Sequence, residues 1–152
     1  MKIELIKGEK MCNGFRFEAN YYENGKIKKD LFSDYAQKVV DCFLVVVNQD
    51  DKDRRGKLRK KLSYSQIRKF YDEVLNFKNR LDNGEDFLDL LPYFRMLKAK
   101  ANVAYQRDVV NTNFKTFIDK NVDYIGEDKE KFKIFCTFFE AVVAYSKGKF
   151  KE

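Results

Sequence analysis

Apolar residues recur with helical spacing over most of this chain. After Ser63, the side chains of Ile67, Phe70, Tyr71, Val74, Phe77 and Leu81 repeat at i, i+3, i+4 and i+7, one face of a helix over Tyr64–Asn83. Ser63 and Gln66 have the spacing of a capping box, Leu62 and Ile67 that of a hydrophobic staple, and Asn83-Gly84 supplies a stop. Upstream, Ser33 is placed to cap a helix that begins at Asp34 and ends near Asn48. Its stripe is Tyr35, Val39, Phe43, Val46 and Val47, widened by Val40 and Leu44.

Downstream, the pattern predicts a helical region over Asp86–Asp108, in which Pro92 either kinks one helix or opens a new one. Phe94, Leu97, Ala101, Ala104 and Tyr105 occupy one face of it, and Met96, Ala99 and Val103 nearly the opposite one, so the spacing predicts a central helix with neighbours on both sides. Thr112 is expected to cap a shorter helix over Asn113–Tyr124, which buries Phe114, Phe117 and Ile118 and is ended by Gly126. Asp128 is expected to cap a last helix from Lys129 to about Lys147, whose wide apolar face (Phe132, Phe135, Cys136, Phe139, Val142 and Val143, flanked by Ile134, Phe138, Ala141 and Tyr145) makes it the core helix. Two charges sit inside apolar stripes, Lys78 and Glu140, and each calls for a partner or an edge position; an ion pair of Glu140 with a neighbouring helix is expected.

Residues 1–32 have no helical period. Asn24-Gly25 is a tight hairpin signal between an aromatic run, Phe15–Tyr22, and a returning segment, Ile27–Leu31; a flexible arm that orders on a partner is the other reading. The predicted fold is therefore all-α, a compact bundle of four to five helices with a small N-terminal β-hairpin or arm. Residues 1–32 form an extension and residues 33–152 a single helical-bundle domain.

Composition removes several classes of function. Among 152 residues there is no histidine, which takes away the commonest general base and both Ser-His and Cys-His nucleophile arrangements. Cys12, Cys42 and Cys136 are far apart, lack zinc-ligand spacing and suggest no disulfide framework. Asp50-Asp51-Lys52-Asp53 lacks the central glycine and the final glutamate of a calcium loop, and no phosphate-binding glycine motif is present. No catalytic residue, metal or cofactor is expected. The longest apolar run, Cys42–Val47, is too short to span a bilayer, and Glu4 and Lys7 interrupt any leader-like core, so a cytoplasmic protein without membrane contact is expected.

Charge then singles out one segment. The net charge of +7 is a modest prior for polyanion binding, but between Lys52 and Lys61 the cations Lys52, Arg54, Arg55, Lys57, Arg59, Lys60 and Lys61 face Asp53 alone. Lys and Arg that meet phosphates release condensed counterions and give salt-dependent affinity. The candidate contacts are Arg54, Arg55, Lys57, Arg59, Lys60 and Lys61, extended by Arg68 and Lys69 on the following helix. Lys98, Lys100 and Arg107 form a second set on the central helix. Ordinary solvation of long side chains at a bundle surface is the competing reading. Tyr64, Tyr93 and Tyr105 could stack on bases, although packing at the core or rim suits them better.

Three segments, L-S-Y-S-Q-I-R-K-F-Y-D-E-V, L-P-Y-F-R-M-L-K-A-K-A-N-V-A-Y and F-C-T-F-F-E-A-V-V-A-Y, resemble in order and spacing the small helical subunit of type III-A CRISPR–Cas (Csm) effector complexes, over roughly Tyr35–Tyr145. The resemblance implies a non-catalytic bundle whose copies line up inside a ribonucleoprotein beside guide RNA and target RNA. Its partners would be the backbone and large signature subunits and neighbouring copies of itself. By motif position it implies RNA contacts at Arg68 and Lys69 and at Arg95, Lys98 and Lys100. A helical protein-interaction module, its basic surface meeting acidic protein partners, is the alternative.

Overall fold

A computed structural model of the chain describes residues 19–43, 53–57 and 61–150. Among these, a two-stranded antiparallel hairpin, β1 (Tyr22–Glu23) and β2 (Lys26–Ile27), precedes five helices: α1 (Asp34–Phe43), α2 (Tyr64–Asp82), α3 (Phe87–Gln106), α4 (Thr112–Ile125) and α5 (Lys129–Ser146). The expected end of the first helix near Asn48 lies outside the described residues. Asn24 and Gly25 both take positive φ (55° and 79°), the conformation of a two-residue hairpin turn and the reason an Asn-Gly pair is found there.

The caps act as the sequence implies at two helices. The Ser63 hydroxyl accepts from the Gln66 N–H at 3.2 Å, and Asp128 accepts from the N–H groups of Glu130 and Lys131. At α4 the cap is Asn111 instead of Thr112: its Oδ1 accepts from the Phe114 N–H at 3.0 Å. Asn111 is buried because its other amide end is also used, Nδ2 donating to Phe43 O at 2.9 Å, while Asn113 Nδ2 donates to Cys42 O at 2.7 Å. Two amides thus hold the start of α4 against α1.

Pro92 lies inside α3, which continues through it. α2 and α3 form an antiparallel pair, α4 returns along α3, and α5 packs against α1, α2 and α4. A cluster of phenylalanines lies at the centre, among valines, isoleucines and alanines that are also fully buried. Phe114, Phe117, Phe135, Phe138 and Phe139 have zero exposure, and Phe117 lies 5.4–6.3 Å from the rings of Phe43, Phe114, Phe135, Phe138 and Phe139. Such edge-on and tilted contacts each add about 0.5–1.5 kcal/mol to the burial itself. α5 is the core helix, as its pattern predicts.

α3 is not central, which corrects the reading of its two apolar faces. Phe94, Leu97 and Ala101 are buried, but Met96 and Val103 are half exposed and Ala99 faces solvent. Periodicity reports which side chains share a face and is silent on whether a neighbour covers it. Lys78 sits at an edge and pairs with Asp82 at 2.9 Å, so its placement in the stripe is resolved locally. Glu140 is exposed and has no ion pair among the described residues; it lines a groove between α2 and α5 beside Tyr71, whose hydroxyl it helps to hold in the neutral form after desolvation. The expected interhelical ion pair is therefore corrected. Cys42 is disulfide-bonded, contrary to expectation, whereas Cys136 is a buried free thiol whose pKa burial pushes up to about 12.

The hairpin shares the core of the helices. Tyr21 and Leu31 are buried, and Tyr21 packs edge-on against Tyr124 and Phe138. Its hydroxyl donates to Asn121 Oδ1 at 2.5 Å, and its backbone N–H donates to the Tyr124 hydroxyl at 3.2 Å. Tyr21→Phe deprives a fully buried amide oxygen of its donor and is expected to cost about 1–3 kcal/mol, read as a lower midpoint in chemical denaturation.

Candidate nucleic-acid interface

The basic segment is built around its single acid. Asp53 Oδ1 accepts from the N–H groups of Arg55 (2.8 Å) and Lys57 (2.9 Å), the Asp53 N–H donates to Lys57 O, and Gly56 supplies the positive φ of 80° that closes the turn. The acid is spent on backbone amides, so it does not hold the guanidinium groups of Arg54 and Arg55 or the Lys57 ammonium. All three residues are exposed. Arg59 and Lys60 lie outside the described residues.

Lys61 fixes where this segment enters the bundle. Its N–H donates to Asp108 O at 3.1 Å, which sets the loop's exit beside the C-terminal end of α3, next in sequence to Arg107. Four residues of extended chain reach about 14 Å at most, so the Lys57 backbone is held within that distance of the junction. The N-terminal end of α2 is at the same end of the molecule, because α2 and α3 are antiparallel.

There Arg68 and Lys69 both border a shallow depression on α2 with Asp72 and Glu73, and each also reaches a groove on its own side. Lys69 joins Lys100 and Arg107 along a groove of about 350 Å³ between α2 and α3, whose lining includes one carboxylate, Glu73, bound to Lys100 Nζ at 2.7 Å. Arg68 points to the other side of α2, where it bonds Asp72 at 3.2 Å, lies 5.9 Å from the Tyr71 ring and borders a groove shared with Tyr64 and Lys147. The hydrogen bonds of Tyr64 and Asp72 raise the Arg68 pKa and keep it charged. These ion pairs are solvent-exposed and weak enough for a phosphate to compete with them.

The α3 cations do not form one row. Lys98 bonds Asp123 of α4 at 2.6 Å, on the flank opposite Lys100, and Arg95 stands exposed on the outer face. The structure therefore brings Lys69, Lys100 and Arg107 together along one groove, anchors the Lys61 backbone at Asp108 beside the end of α3, and sets Lys98 and Arg95 apart. Of the tyrosines, Tyr93 is exposed. Tyr64 is half-buried under Lys147 (5.1 Å), and Tyr105 is half-buried with the Thr112 hydroxyl 3.4 Å away. Lys147 was not among the sequence candidates; only its position after α5, close to Tyr64 in space, marks it.

Among the described residues no three His, Cys, Asp or Glu side chains converge on a metal-sized site, and no helix is long and apolar enough to cross a membrane.

No solved structure matches the chain. A protein of Enterococcus italicus described as "CRISPR system Cms protein Csm2" is 30% identical over 124 residues, covering 74% of this chain and 85% of that protein. The family described as Csm2 Type III-A matches residues 46–151, which include the basic turn and α2–α5 in full. The chain belongs to the Csm2 family, the small subunit of type III-A CRISPR–Cas complexes.

Proposed function

We propose that this chain is a non-catalytic structural subunit that lines the guide RNA–target RNA duplex of a cytoplasmic type III-A complex and contacts phosphates without reading bases. The observation that carries the reading is the cationic end of the bundle. An Asp53-centred turn projects Arg54, Arg55 and Lys57, and Lys61 is tethered where Arg68 and Lys69 begin α2. A fixed turn loses little freedom on binding, and flexible point charges suit a sugar-phosphate backbone better than a base edge. Arg59 and Lys60 belong to the same set by sequence. Lys100 borders this end, while Arg95 and Lys98 lie away from it, so the loop with Arg68 and Lys69 is the principal track.

The remaining partners are the other Csm-complex subunits and neighbouring copies. The opposite end of the bundle carries Asp82, Glu85, Asp86, Asp89, Glu127, Asp128 and Glu130, all exposed, with Lys78, Arg80 and Lys133 paired to Asp82, Glu85 and Glu130 and Lys129 nearby, so acids outnumber bases there. Unlike charge at the two ends favours head-to-tail stacking over end-to-end contact of like poles.

Replacing Arg54, Arg55, Arg59 and Lys60 together with alanine is expected to weaken association with guide–target duplex and flatten its salt dependence. Each lost phosphate contact removes roughly 0.7–0.9 from the slope of log K against log salt. Circular dichroism should be unchanged, since the turn lies outside the core. Unaltered affinity and slope would overturn the assignment of the loop.

A further inference from the structure

α3 keeps one long face uncovered. Tyr93, Met96 and Val103 are 65%, 50% and 55% exposed, and Leu88, at the near edge, is 56% exposed. Their spacing, with Ala99 between, sets them along one side of the helix, about 22 Å from Leu88 to Val103. Scattered apolar residues on a surface need no explanation, but four along one helix face are what a docking surface exposes. Among the described residues nothing covers them. α2 flanks α3 through Glu73–Lys100, α4 flanks it through Asp123–Lys98, and α5 lies beneath through Phe132 and Phe135 against Phe94.

The border of this face has a sign. Arg95 is exposed on one edge, and Lys69, Lys100 and Arg107 line the groove on the other with Glu73; Asp89, exposed beside Leu88, is the acid at the N-terminal end, so the cationic border follows the half from Met96 to Val103. The Glu73 contact also draws the Lys100 ammonium aside towards α2, which leaves Met96 and Val103 bare. We propose that the outer face of α3 docks an amphipathic helix of another protein subunit, apolar along its centre and acidic along its edges. RNA fits the face poorly, since a phosphate chain gains nothing from a thioether and an isopropyl group. A second copy laid face to face would bring two cationic borders together. The helix-in-groove mode matches both the length and the charge of the face. The proposal rests on membership of the family; it shares Lys69 with the RNA reading, whose other principal contacts lie at the end of the bundle.

The test uses the assembled complex, purified with its guide RNA through a tag on a different subunit. Val103→p-benzoylphenylalanine, photolysed in that complex, is expected to crosslink to a segment of another subunit with apolar residues at helical spacing and Asp or Glu beside them, with the crosslink persisting after nuclease treatment. Crosslinking to RNA, to a second copy of the chain, to a segment without acidic flanks, or to nothing overturns the proposal. In parallel, Met96→Glu with Val103→Glu should leave the melting temperature of the isolated protein unchanged and lower its recovery in the complex at least tenfold. Recovery at the wild-type level would sink the proposal independently of the fate of the RNA-loop variant.

Discussion

Phe117→Ala is expected to destabilise the protein by about 3–5 kcal/mol, the range for emptying a well-packed aromatic site. The value should lie at the upper end because five rings converge on Phe117 from α1, α4 and α5, so no single neighbour can swing in to fill the space. A domain of this size has about 5–15 kcal/mol in total, and each kcal/mol moves its melting temperature by roughly 2–4 °C. The expected fall is therefore about 10 °C or more in a thermal melt. Phe117→Leu should recover a substantial part. A loss below about 1 kcal/mol for the alanine variant would mean that the phenylalanine cluster is not packed as described.

Asn111→Ala is the second large effect, and it comes from polar groups. The substitution removes the cap of α4, a cost of about 0.5–2 kcal/mol, and takes from Phe43 O a buried donor, a further 1–3 or so. About 2–4 kcal/mol should be lost in denaturant unfolding. Asn111→Ser separates the two roles: a hydroxyl can keep the cap but is too short to reach Phe43 O. It should fall between wild type and alanine. Equal losses for serine and alanine would assign the whole effect to the contact with α1.

These two residues also mark how far the chain could be read without coordinates. Phe117 was legible, since its spacing from Phe114 and Ile118 put it on an apolar face. So were the Ser63 and Asp128 caps, the Asn24-Gly25 turn and the dominance of α5, because each is decided within a few neighbouring residues. The burial of Asn111 and Asn113 was not legible: each asparagine is fixed by a carbonyl about 70 residues away, which local pattern does not register. The outer face of α3 was misread for the same reason, as burial depends on what lies opposite.

The basic segment shows the same division. Its charge and its approach to α2 were plain in the sequence, and Asp53 stood out as the lone acid. That Asp53 organises the turn through backbone amides required geometry. Lys98 and Lys100 were grouped by charge into one set, yet two residues apart on a helix they leave on opposite flanks, where Asp123 and Glu73 of two different helices pair with them.

The burial of Tyr21 has a consequence for the order of events during synthesis. α2 to α5 meet mostly through short connections and can pair as soon as they form, but Tyr21 must wait for Asn121 and Tyr124, about 100 residues later in the chain. At typical elongation rates of about 5–20 residues per second, the hairpin is outside the ribosome for several seconds before its site exists. Contacts of such separation are the slow ones in folding. The hairpin is therefore synthesised well before the residues that hold it, and it joins the core only after they have emerged.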